Sequence, residues 1–443
     1  MEIVIVVSCA FLVIALMKFL YDYLWIPLRI QQVLNSQGIN GPPYRFIHGN
    51  NKEVSKMRME TMSKAMGLSH DIFPKVQPHL YSWINKYGKN FLYWNGVRPQ
   101  LVITEAELVK EVMKNNENSF PKRKPTIYGK KLLGNGLVLI QGEKWVKRRK
   151  LANHAFHGES LKNMTPAIIS SVETMLEKWE GGEGREIEVF REFRLLTSEV
   201  ISRTAFGSTS EGIRDCVMEI VKSRENRVVN GEVEGFGNDF FGLLLNAYHG
   251  LDDRNRLSLE DLVDECKTFY FAGQETVNSL LGWTVFLLAI YGDWQEKARR
   301  EVIDIFGDQN PRSEGIVKLK TIVSITSHHD PQLWGDDVHL FKPERFAEGI
   351  AEATKYNATA FFPFGLGPRS CVGMAFAMTE TKIAISMILQ RYTITLSPAY
   401  VHSPVASLTL QPQHGIQVIL HSLHNDGLKY ANPKNPSDIH QIK

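Results

Sequence analysis

The segment that most constrains this chain runs from Phe361 to Thr379, FFPFGLGPRSCVGMAFAMT. An aromatic-proline run leads into a glycine-rich loop, a lone cysteine follows at Cys371, and an apolar helix of small residues starts directly behind it. Tight turns at Gly365 and Gly367 free backbone N–H groups, and a helix start exposes more, so donors can point at a sulfur and stabilise it as a thiolate. A metal held through one cysteine wants this arrangement. Arg369, two residues earlier, is placed to pair with an anionic group on the same ligand. A lone cysteine near a helix start is also, more often than not, inert packing. The glycines do not make a nucleotide loop. Gly365-x-Gly367-x-x-Ser370 lacks the third glycine and a preceding strand–helix unit, and GSTSEGI from Gly207 has Ile213 where a phosphate loop needs lysine.

The rest of the composition narrows the class. Of 443 residues, 43% are hydrophobic, and 51 basic side chains stand against 48 acidic ones for a net charge of +3. This excludes a disordered acidic chain and a strongly basic nucleic-acid binder. The four cysteines, at positions 9, 216, 266 and 371, have no spacing that suits a disulfide framework or a zinc site, which points to a reducing compartment. His154 and His157 have helical spacing but no third metal ligand beside them.

Hydrophobicity is concentrated at the start. Ile3 to Met17 is uncharged, and Phe19 to Tyr21 extend it, with Lys18 able to snorkel, towards the roughly 20 residues a bilayer core requires. Glu2 precedes the run and no small-x-small cleavage site clearly follows, so a membrane anchor fits better than a signal peptide. Lys18 and Arg29 on its C-terminal side place the remainder in the cytosol, where the sequons at Asn163 and Asn357 would not be glycosylated. The expected division is an anchor over 1–26, a Pro/Gly strap over 27–50 beginning at Pro27, a body over 51–423, and a polar, disordered tail over 424–443.

Within the body the pattern is mainly helical. Helical periodicity covers Glu105 to Lys114, Ala167 to Trp179, Glu211 to Arg224 and a very long run from Leu259 to about Tyr291, for which Ser258 is a plausible N-cap. Strand patterns are few: a hairpin from Phe91–Trp94 and Leu101–Thr104, then Tyr392–Leu396 and Gly415–Leu420.

FGLGPRSCVG, from Phe364 to Gly373, resembles the haem-binding signature F-x-x-G-x-R-x-C-x-G of the cytochrome P450 family at every fixed position. The resemblance implies a P450 fold with small sheets, haem b as cofactor, Cys371 as its axial thiolate, Phe364 beside the sulfur, and Arg369 on a haem propionate. A thiolate ligand pushes electron density onto the iron and favours O–O cleavage. FAGQET, Phe271 to Thr276, is similar to the family's oxygen-activation motif. On that likeness Ala272 and Gly273 make room above the haem, while Glu275 and Thr276 deliver protons. Trp145 and Arg149 in KWVKRRK resemble its propionate-holding W-x-x-x-R pair. The default reading of that segment is a solvated basic face, and Lys144, Lys147, Arg148 and Lys150 would present it to an acidic electron donor. FKPERF, Phe341 to Phe346, resembles the P-E-R-F element, with Arg345 in a buried ion network. The overall flavour is similar to plant microsomal members of the 72 clan. The resemblance implies an endoplasmic-reticulum monooxygenase that acts on an apolar organic substrate with electrons from NADPH through a separate reductase.

Two family blocks are missing. KLKTIVSITSHHDPQLWG, Lys318 to Gly335, passes almost directly from the helix before the E-x-x-R element to the segment after it, with no E-x-x-R between. The pattern stands only at Glu188–Arg191, Glu211–Arg214 and Glu296–Arg299, each in the wrong place. After Ser208 the chain also skips the helix that would cover the substrate pocket. Loss of the first block is expected to leave Arg345 without its partner, which for a buried charge costs about 3 to 5 kcal/mol, and to expose sheet edges. The rival expectation is therefore a membrane-tethered remnant that binds haem weakly or not at all.

Overall fold

The computed structural model describes residues 1–115, 119–181, 184–206, 213–237, 239–250, 256–319, 337, 340–355, 357 and 361–423. The segments 207–212 and 320–336, where the two blocks are missing, and the tail 424–443 lie outside the described residues.

One helix organises the body. It spans Leu259–Ile290 and begins with a capping box, in which Ser258 Oγ accepts from the Asp261 N–H at 3.1 Å and Asp261 Oδ2 accepts from the Ser258 N–H at 3.2 Å. Its second half, rich in Leu, Val and Phe, is buried on nearly every side. Helix Val189–Ile201 lies along it, and Thr197 Oγ1 donates across the contact to the Gln274 carbonyl at 3.1 Å. The helix Met374–Arg391, behind Cys371, also packs on it, and Gly158–Glu177 packs against both Met374–Arg391 and Val189–Ile201. These four share one large core.

Strands are as sparse as the sequence indicates. Asn90–Asn95 and Arg98–Ile103 pair antiparallel through a tight turn in which Gly96 has a φ of 60°. Gln417–Ser422 is the centre of a second sheet, flanked by Arg185–Glu188 and Tyr392–Leu396. Glu188 caps the helix Val189–Ile201 by accepting from Phe190 and Arg191 N–H, both at 3.0 Å, and also accepts from the Ile416 N–H at 2.7 Å. Gly415, at a φ of 74°, is required there because a Cβ would press into the Glu188 carboxylate. A last small pair joins Pro404–Ala406 to Leu410–Pro412.

The N-terminal division needs correcting. A single helix continues from Glu2 to Ser36, so Pro27 lies inside it and the strap starts only afterwards. A proline cannot donate to the carbonyl four residues back, here Tyr23. The chain absorbs this with a π-helical turn at Tyr21–Trp25, and the Tyr44 hydroxyl donates to the Tyr23 carbonyl at 2.5 Å in its place. Tyr44 also receives the Ile47 N–H at 3.1 Å, and its own N–H reaches Gln31 at 2.8 Å. With Leu92 and Trp94 it forms a separate small core under the first hairpin. The apolar part of the helix is wholly exposed and has a mean hydropathy of 2.8, long and apolar enough to cross a bilayer.

Candidate active site

The central helix and the cysteine loop face each other across a cavity of about 620 Å³. Ala272, Gly273 and Thr276 line one wall, and Phe364, Arg369, Cys371 and Gly373 the other, with Trp145 and Arg149 at the side. Nine of the twelve residues singled out from the sequence thus meet in one space, although the motifs that carry them are far apart in the chain.

The loop's shape follows from its glycines. Gly365 and Gly367 both take a φ of 76°, and a Cβ on Gly367 would lie 2.5 Å from the Met113 carbonyl, at the end of helix Ala106–Lys114. Gly365 N–H donates to Phe362 at 2.9 Å, Ser370 N–H to Gly367 at 3.1 Å, and Cys371 N–H to Phe364 at 2.7 Å, so the loop is folded back on itself beneath the sulfur. Burial pushes the Cys371 thiol up, while the Gly373 N–H and the Arg149 charge pull it down. Gly365 and Gly367 shape the loop without lining this cavity.

Both arginines are held before any ligand arrives. Arg369 lies over the Trp145 ring at 4.4 Å and donates to the Ile140 carbonyl at 3.1 Å. Arg149 donates to the Ser370 carbonyl at 2.5 Å and to Asn153 at 2.9 Å. Burial lowers the Arg149 pKa, against an upward pull from Cys371, and the neighbouring Arg369 charge adds a smaller lowering. Two cations gathered at one edge of an apolar cavity call for an anionic partner.

Glu275 departs from expectation. One residue is 100° of helix, so when Thr276 faces the cavity Glu275 cannot face it equally. Its carboxylate is buried against the C-terminal hairpin and accepts from Thr409 Oγ1 at 3.2 Å and from Gln411 Nε2. Thr409 itself lines the cavity, so the acid reaches that space only through a hydroxyl that no sequence motif had marked. Thr276 Oγ1 bonds back to the Ala272 carbonyl at 2.7 Å. Gly273 is needed for contact with Ile201, whose Cδ1 would be 2.8 Å from a Cβ. A cluster of Phe156, Phe269 and Phe376, with ring centres 5.4 and 5.7 Å from Phe156, closes the apolar end and was likewise invisible as a motif.

Two further expectations are overturned. Arg148 does not belong to the basic surface: it is buried against Asp261 and Glu265, leaving Lys144, Lys147 and Lys150 exposed. Arg345 is neither deeply buried nor without a partner, since it pairs with Asp337 at 3.0 Å in a half-exposed position. Among the described residues no cluster of His, Cys, Asp and Glu is arranged to hold a metal ion, so His154 and His157 stay surface side chains.

The donor set fits haem: one sulfur rising from the loop into an apolar slot, small residues opposite, and two cations for anionic substituents at one edge. Comparison with known proteins agrees. The family model described as Cytochrome P450 matches residues 73–215, 209–323 and 320–420, three pieces whose junctions fall at the two sites of missing sequence. Cytochrome P450 CYP749A22 of Panax ginseng is 48% identical over 502 residues, covering 94% of this chain and 96% of that protein. Cytochrome P450 CYP72A616 of Paris polyphylla is 36% identical, covering 90% and 94%. An 11-oxo-beta-amyrin 30-oxidase of Glycyrrhiza uralensis is also 36% identical, over the same shares. The first alignment is longer than the whole 443-residue chain, so the relative carries internal segments that are absent here. With the cysteine loop, the opposing helix and the matches in agreement, the chain belongs to the cytochrome P450 family, whose members bind haem and act as monooxygenases.

Proposed function

We propose that this chain is a haem-thiolate monooxygenase that places one oxygen atom from O2 into an apolar, terpenoid-like substrate, with the second leaving as water. The observation that carries this is the cavity itself, which has Cys371 on one side and the Ala272–Thr276 turn on the other. Haem, when bound, supplies the one-electron and O2 chemistry. The chain's own residues do the rest. Cys371 offers its sulfur; burial raises its pKa, and the Gly373 N–H and the Arg149 charge work against that burial. Arg149 and Arg369 hold anionic carboxylates at the cavity edge, and Trp145 fixes the plane of Arg369. Thr276 presents a hydroxyl to the cavity, and the Glu275 carboxylate is linked to the same space through the Thr409 hydroxyl that donates to it. The phenylalanines and Leu280 exclude water.

The relatives' names support the substrate class, since one is an 11-oxo-beta-amyrin oxidase and another, from Catharanthus roseus, a 7-deoxyloganic acid hydroxylase. Electrons would come from NADPH through a separate reductase docking at the face of Lys144, Lys147 and Lys150. The exposed N-terminal helix supports anchoring in the endoplasmic-reticulum membrane, with Lys18 and Arg29 keeping the body, residues 51–423, on the cytosolic side.

The test is spectroscopic. Reduced protein under carbon monoxide should give the thiolate-type Soret band, and Cys371→Ser should abolish both the band and NADPH-dependent turnover with reductase. A wild-type chain without the band would refute this reading. A second reading, a tethered remnant without turnover, draws on the larger open cavity at the site of the missing E-x-x-R block. Thiolate-ligated haem without substrate-dependent NADPH consumption would favour it.

A further inference from the structure

The helix Gly142–Ala155 carries, beside Arg149, an arginine that turns the other way. Arg148 is only 5% exposed. Its Nη1 donates to Glu265 Oε1 at 2.8 Å and to the Asn135 carbonyl at 3.1 Å, and its Nη2 pairs with the Asp261 carboxylate. Glu265, 1% exposed, accepts from the Leu137 N–H at 3.0 Å with its second oxygen. Asp261 and Glu265 stand one turn apart at the start of the central helix, so one cluster joins three pieces of cavity wall: the Trp145 helix, the Leu137–Val138 loop and the helix of Thr276. The loop is pressed closely onto the helix. A Cβ on Gly136 would collide with Thr268 and with the Asp264 carbonyl at 2.8 Å.

Stability alone does not account for this choice of residues. A buried ion cluster is often no more stabilising than apolar side chains of the same volume. A guanidinium fork does add direction, because it accepts only one rotation of its helix against the two carboxylates. Burial opposes the Arg148 charge, but the two carboxylates outweigh it and raise its pKa. With Arg148 locked inward, the adjacent Arg149 is turned onto the Ser370 carbonyl, and Trp145, one turn earlier, is placed under Arg369.

We propose that Arg148, Glu265 and Asp261 are positioning residues that set the rotation and depth of the Trp145–Arg149 helix, and so hold the cations Arg149 and Arg369 at the cavity edge where an anionic cofactor substituent docks. This rests on the haem-thiolate reading. The test uses the purified full-length chain, the double variant Arg148→Met/Glu265→Leu and the single variant Arg148→Lys, with two readouts: the thermal unfolding midpoint and the rate at which haem is captured by excess apomyoglobin. The double variant replaces the ions with apolar volume and should unfold within a few degrees of wild type, yet release haem at least tenfold faster. Arg148→Lys, which keeps the charge without the fork, should fall between the two. Haem release from the double variant at the wild-type rate overturns the proposal, as does a double variant that no longer folds, because the cluster would then serve stability alone. A wild-type chain that takes up no haem refutes the haem-thiolate reading itself, an outcome read before any variant is made.

Discussion

The two faces of the cysteine loop make an instructive comparison, because Phe364 lines a cavity on each. Towards the central helix the space is about 620 Å³ and is bounded by packed helices and a phenylalanine cluster. On the other side it is about 1320 Å³ and is bordered by Leu319, Pro343, Phe346, Phe361 and Met378, residues on either side of the missing E-x-x-R block. The first face keeps its central helix and phenylalanine cluster although the pocket-covering block after Ser208 is missing, whereas the second has lost the E-x-x-R block and retains its apolar lining. A loop only six residues long, from Gly365 to Ser370, keeps its shape beside such losses because its own turns are self-supporting.

The largest difference should appear in paired truncations. Phe376→Ala, in the closed face, should cost about 3 to 5 kcal/mol, as a large cavity in a packed core does. Phe361→Ala adds space to a cavity that already exists and should cost about 1 to 2 kcal/mol, because few packed atoms are left facing a new void. Equal losses in urea denaturation would erase the contrast.

Acid should act in part through a histidine packed on the central helix. His402 stacks on Phe286 of the central helix at 5.0 Å, and burial brings its pKa down from 6.5 to about 4. A depressed histidine pKa means that the unfolded chain binds a proton the folded one refuses. Stability is therefore fully present above pH 6.5 and declines as the pH falls from 6.5 towards 4. At about 1.4 kcal/mol per unit this amounts to no more than about 3 kcal/mol. His402→Gln should flatten the decline of the unfolding midpoint across this window, and an unchanged slope would remove His402 as its source.

A smaller effect separates chemistry from packing. Thr276→Ala should leave stability within about 0.5 kcal/mol and lower the rate of product formation about a hundredfold, at the low end of the range for one proton-transfer group. Smallest of all is the open side's ion pair. Because Arg345 meets Asp337 at a half-exposed site, Arg345→Ala should cost about 1 kcal/mol and not the 3 to 5 expected of a deeply buried charge. Thermal denaturation distinguishes the two magnitudes.

Most of the closed side was legible in the sequence. Ser258 and Asp261 mark the start of the central helix, and the strand Tyr392–Leu396 is found where its alternation places it. The signature around Cys371 brought nine candidate residues to one cavity. What escaped depended on direction and distance. A run such as KWVKRRK does not reveal which cation turns inward, and the partners of Arg148 stand 113 and 117 residues away. The orientation of Glu275 hinged on one residue of helical rotation and on a hairpin 134 residues later. Glu296 and Arg299, an E-x-x-R in the wrong place for the family motif, do form a pair at 2.6 Å. Arg299 there binds the carbonyls of Leu389 and Tyr392 at 3.1 and 3.0 Å, joining its helix to the end of the cysteine helix rather than to the loop.

The bond from Tyr44 to the carbonyl that Pro27 leaves free has a bearing on access. It makes the N-terminal rod and the body turn as one piece at that joint, so the compass heading of the cavity mouth over a bilayer is set by which residue of the rod stands at Tyr23. A residue inserted between Trp25 and Gln31 would swing that heading by about 100°. An apolar substrate leaving the lipid would then meet a different side of the body, with every residue of the cavity unaltered.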